Sequence, residues 1–84
     1  MKSLWLMPRL TPMKPREVLK ILKDNGFEEI RQSGSHVILK GEVEDEHGII
    51  TVRVVVVPDH GEIPVGTLND IVNRSGLGRK AFTK

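Results

Sequence analysis

The sequence predicts a small two-layer α+β domain, with elements in the order helix, three strands, helix. Three observations lead there. PREVLKILKDN and GTLNDIVNRSG each repeat apolar residues at helical spacing. Between them, HVILKGEV alternates apolar and polar residues, and IITVRVVVVP is rich in β-branched ones. The 84 residues suffice for one domain with a thin core.

Each element has a local cause. Pro15 suits a first helical turn, where its missing N–H leaves nothing unpaired. Val18, Leu19, Ile21 and Leu22 form the apolar stripe, and Asn25-Gly26 stops the helix. Phe27 to Gln32 makes a short strand of poor alternation, and Ser33-Gly34-Ser35 is a turn cluster. In the second strand Val37, Leu39 and Val43 point one way, and His36, Ile38, Lys40 and Glu42 the other. Pro58 ends the third strand. Its inward set is expected to be Ile50, Val52, Val54 and Val56, and its outward set Thr51, Arg53, Val55 and Val57. Thr67 is placed to cap the second helix, with Asp70 as capping-box partner, and Ser75-Gly76 ends it.

The chain thus divides into an irregular extension over 1–13, a folded domain over 14–77 and a polar C-terminal tail over 78–84. Met13, just before the first periodic segment, is a candidate start codon, which the intact mass of the natively expressed protein tests. Both helices should cover one face of a three-stranded antiparallel sheet and leave the other open. Like faces must pair across strands. The expected register sets Val43 against Ile50, Leu39 against Val54 and Val37 against Val56. Lys40 then lies across from Arg53 on the open face, and His36 across from Val57.

Composition removes several function classes. The absence of cysteine excludes disulfides and thiolate-bound zinc and fits a reducing cytoplasm. No apolar run reaches the roughly 20 residues of a membrane helix. Net charge is +2, but GEVEDEHG at 41–48 holds four carboxylates and no Lys or Arg. The rest of the chain has 13 basic and 7 acidic residues, a surplus of +6. A basic body with one acidic loop suits a phosphate-bearing partner, though a plain solvated surface has the same composition.

The stretch QSGSHVILK sets a histidine directly after a Gly-Ser turn, at the start of a strand. Histidine has an ordinary pKa of roughly 6.5, so it can take a proton near neutrality. On the open face His36 can accept the proton of a ribose 2′-hydroxyl, which then attacks the adjacent phosphate. Lys40, Arg53 and the backbone N–H groups of Gly34 and Ser35 are candidates to stabilise the phosphate charge. His60, just past the third strand, is the first candidate for the acid and Lys40 the second. The competing readings are an imidazole that merely occupies a turn, and a zinc site from His36, His47 and His60. Their spacings of 11 and 13 residues match no compact ligand motif. Trp5 can stack on a base or pack on a protein surface.

KPREVLKILKDNGFEEIRQSGSHVIL and VVVVPDHGEIPVGTLNDIVNRSGL together resemble the HicA toxins of HicAB toxin–antitoxin systems. The resemblance runs from Lys14 to Leu77. It rests on Gly-Phe after the first helix, Gly-Ser-His, Pro-x-His-Gly and the closing Gly-Thr-Leu…Ile…Gly-Leu. It implies an α-β-β-β-α fold like a double-stranded-RNA-binding domain. It also implies an mRNA interferase that needs no metal or cofactor and works in the cytoplasm, with His36 as catalytic residue. A HicB-like antitoxin would be the protein partner and mRNA the substrate. Three features depart from the family pattern: the longer N-terminal extension, the longer acidic hairpin tip, and apolar Val55 and Val57 at the expected outward positions. The last suggests a buried contact with an antitoxin or a second copy. Two other classes fit the same sequence: a non-catalytic RNA-binding module, and a protein-interaction or oligomer subunit.

Overall fold

The structure, a computed structural model, describes residues 9–83. The extension up to Pro8, with Trp5, and Lys84 lie outside the described residues. Helix α1 spans Pro15–Asp24, strand β1 Glu28–Ser33, β2 His36–Glu44, β3 Ile50–Pro58 and helix α2 Val65–Ser75. The sheet is antiparallel in the order β1-β2-β3, so β2 is central. This is the predicted α+β order, an α-β-β-β-α domain like those that bind double-stranded RNA.

Both helices bury their stripes on one sheet face. Val18 and Leu22 of α1, and Leu68, Ile71 and Val72 of α2, enclose Val37, Leu39, Val55 and Val57. Phe27 joins this core, and its ring occupies the space a side chain at Gly41 would need. A Cβ there would lie 2.7 Å from the ring. Buried Ser75 is satisfied, its hydroxyl donating to the Val72 carbonyl at 2.8 Å.

The register of β3 differs from the sequence expectation by one residue. Val37 pairs with Val57, Leu39 with Val55, Gly41 with Arg53 and Val43 with Thr51. Val55 and Val57 are therefore fully buried, while Ile50, Val52, Val54 and Val56 are exposed. Hydrophobicity could not fix this strand's parity, because both of its faces are apolar from Val54 to Val57. The hairpin loop Asp45–Ile49 bears on it. The Asp45 carboxylate accepts the N–H groups of His47 and Ile49 at 2.8 and 2.9 Å, and Glu44 then pairs with Ile50.

Two smaller expectations also change. Helix α2 begins at Val65 with Pro64 at the capping position, so Thr67 lies inside the first turn and makes no cap. The tail is not wholly polar: Arg79–Phe82 forms a 3₁₀ turn that buries Phe82 in the core. At the other end, buried Met13 forms an antiparallel bridge to Ile63, with N···O distances of 3.1 and 2.7 Å. A contact of this kind ties the segment before α1 to the loop before α2.

The register yields a prediction. Val55→Ala should destabilise the fold by about 2 kcal/mol, through lost apolar burial and a residual cavity. Val54→Ala, on the open face, should cost less than about 1 kcal/mol. Urea unfolding of the two variants checks the order, which the other register reverses.

Candidate active site

His36 is the first residue of β2, and a two-residue turn presents it. Ser33 pairs with His36 across Gly34-Ser35. Gly34 has φ +59°, and Ser35 has no positive φ. A left-handed glycine at the first central position is the type II′ arrangement, whose twist suits a tight hairpin. The Ser35 carbonyl accepts the Asp59 N–H at 2.6 Å, which fastens the end of β3 to this turn. Among the described residues, no protein acceptor takes the N–H of Gly34 or Ser35. Strand alternation then decides where the imidazole goes. Val37 points into the core, so His36 points to the open face, where it is exposed.

A shallow groove of about 380 Å³ runs beside His36, lined also by Val56, Pro58, Thr67, Asp70, Ile71 and Arg74. Val56 and Pro58 come from the end of β3, and the other four from α2. On that helix they stand at i, i+3, i+4 and i+7, a single stripe. Ile71 is buried, Thr67 half-buried, and Asp70 and Arg74 exposed. The sequence carries this stripe, but only the tertiary fold lays it against the histidine.

The other expected residues distribute unevenly. His60 follows Asp59 directly, so it sits at the same end of the sheet, but it does not line the groove. Lys40 is exposed on the open face and lies four residues along β2 from His36, about 13 Å at strand rise. It belongs instead to a larger cleft of about 570 Å³, together with Glu28, Ile30, Glu42 and Val52. Lys40 pairs with Val54 rather than Arg53, so the expected opposition of two cations does not occur.

Arg53 is the main correction. It shares the parity of Val55 and Val57, which places it on the helix-covered side, half-buried. Its guanidinium packs against Gly76, at the C-terminal end of α2. A cation there is favoured by the helix dipole. Its Nε is buried without a hydrogen-bond partner. The reason for counting Arg53 as a phosphate ligand, its place beside Lys40, is thereby removed. His47 is exposed at the hairpin tip, with Nε2 3.8 Å from the Glu46 carboxylate. Among the described residues, no group of three or more His, Asp or Glu is arranged to hold a metal.

Fold and site together define a small RNA-binding-domain-like protein with a solvent-facing histidine at a strand start. The family model described as HicA toxin of bacterial toxin–antitoxin systems matches residues 15–77, three-quarters of the chain. The chain belongs to the HicA toxin family, whose members are generally ribonuclease toxins held in check by an antitoxin. No curated protein matches it. No helix among the described residues is long and apolar enough to cross a membrane.

Arg53→Met is expected to leave RNA affinity and its salt dependence unchanged, whereas loss of a real phosphate contact lowers the salt slope by about one. Filter binding at several salt concentrations separates the two outcomes.

Proposed function

We propose that this chain is the toxin of a toxin–antitoxin pair and acts as an mRNA interferase, an endoribonuclease with His36 as general base. The observation that carries this reading is the exposure of the His36 side chain on the open sheet face. A glycine turn with two unpaired N–H groups precedes it. An imidazole nitrogen takes the proton of a ribose 2′-hydroxyl, and the oxygen attacks the neighbouring phosphorus. As the new P–O2′ bond forms, the P–O5′ bond breaks, and the departing 5′-oxygen takes a proton from an acid or from water. The products are a 2′,3′-cyclic phosphate and a 5′-hydroxyl. His60, held at the same sheet end, is the first candidate for the acid. The N–H groups of Gly34 and Ser35, without a protein acceptor, are the candidates to donate to the phosphate oxygens. Every proton in this scheme moves between organic groups and water, so the reaction as written needs no metal. A toxin that acts on transcripts works in the cytoplasm.

The open face also fits a protein partner. Ile30, Ile50, Val52, Val54 and Val56 leave large apolar side chains in water. An apolar patch on that side marks an interaction surface. A HicB-like antitoxin lying on it covers His36 and so blocks RNA. The same patch serves self-association when the antitoxin is absent. The expectation that Val55 and Val57 make such a contact is replaced, because both are in the core.

His36→Ala should lower RNA cleavage by about 10²–10⁴-fold, the usual contribution of a positioned base, without changing the unfolding midpoint. Denaturing gels on a defined transcript read the cleavage. Retained cleavage by that variant would remove the role of His36. A wild-type protein that binds the transcript and never shortens it would be a binding module instead. His60→Gln cleaving at the wild-type rate would take His60 out of the scheme.

A further inference from the structure

We infer that Arg74 is a substrate-binding residue, whose guanidinium holds the scissile or adjacent phosphate in the groove beside His36. This rests on His36 being the base, and it supplies the cation that the sequence placed at Lys40 or Arg53. Lys40 is about 13 Å away along β2 at strand rise. Arg53 is not among the residues lining the groove beside His36. Arg74 is the one permanent cation among the residues lining the His36 groove.

Its surroundings favour a phosphate. The groove sets Arg74 beside the apolar side chains of Val56, Pro58 and Ile71. Arg74 is exposed and makes no ion pair with another described residue, so its fork of donors is available. A guanidinium can meet two phosphate oxygens at once, a geometry an ammonium does not reproduce. Thr67, about two turns back on the same stripe, adds a hydroxyl donor to the groove.

Asp70 gives the proposal a sign. It lines the same groove, four residues before Arg74. Its carboxylate attracts the guanidinium and repels a phosphate. Removing Asp70 should therefore tighten RNA binding, while removing Arg74 should weaken it. A merely structural role for α2 would not move binding in opposite directions.

The test compares wild type, Arg74→Gln, Arg74→Lys, Asp70→Asn and His36→Ala on two probes. One is a cleavable RNA oligonucleotide. The other is its 2′-O-methyl analogue, which binds but has no free 2′-hydroxyl to react. Arg74→Gln should lower kcat/KM on the first by about tenfold or more. On the second it should weaken binding about tenfold and reduce the salt slope by about one. Arg74→Lys should recover part of the loss, since it keeps the charge without the fork. Asp70→Asn should bind the analogue more tightly. Unfolding midpoints equal to wild type confirm that each variant is folded. Wild-type binding and cleavage by Arg74→Gln, or both α2 variants shifting binding the same way, would overturn the proposal. The base assignment fails separately. If His36→Ala still cleaves while Arg74→Gln has lost binding, Arg74 keeps its contact and His36 loses its role.

Discussion

The pairing of β2 with β3 is the constraint on which the rest of this molecule depends. Side chains alternate with a period of two along a strand, so one register sets every neighbour on both faces. Pairing Val37 with Val57 and Leu39 with Val55 assembles the core under the two helices. The same pairing turns Val54 and Val56 to the open face that His36 and Lys40 of β2 already occupy. Position in the sheet then separates the cations. Lys40 goes to the open face, and Arg53 goes beneath it to the end of α2. The open face is the reverse of the core, and neither can shift without the other.

That coupling explains what sits around the histidine. The turn at Gly34-Ser35 fixes where β2 begins, and the Asp59–Ser35 hydrogen bond fixes where β3 ends relative to it. Helix α2 contributes Leu68, Ile71 and Val72 to the core, which turns Thr67, Asp70 and Arg74 toward the His36 end of the sheet. Strand β2, the end of β3 and helix α2 thus line one groove that holds an imidazole and a guanidinium. The exposed valines and isoleucines beside them come from the same alternation: β3 is apolar on both faces, so burying one face leaves the other in water. A toxin of a toxin–antitoxin system has a use for such a surface.

Local pattern made much of this legible. The stripe of α1, the alternation of β2 and the stop at Gly26 specify their elements directly. The outward direction of His36 follows from Val37 and Leu39 alone, without any partner strand. Legibility failed where two physical signals tied. In β3 both parities are apolar, and the set with four aliphatic residues was the natural choice for the core. The structure buries the other set, which includes Arg53, because that long side chain can pack its stem inward and end at the helix terminus. The groove was hidden for a different reason. Arg74 reads as an ordinary charged residue in a last helical turn, and only the packing of α2 beside the end of β3 brings it to His36. Phe82 was hidden likewise, one aromatic among basic neighbours.

Backbone proton contacts in the free protein probe this constraint without relying on any assay of function. Nuclear Overhauser effects from an isotope-labelled sample report which residues of β2 and β3 face each other. Cross-strand contacts should join Val37 to Val57, Leu39 to Val55 and Gly41 to Arg53. Contacts displaced by one residue, joining Leu39 to Val54 and Lys40 to Arg53, would return Arg53 to the histidine's face. That result would dismantle the groove described between His36 and Arg74.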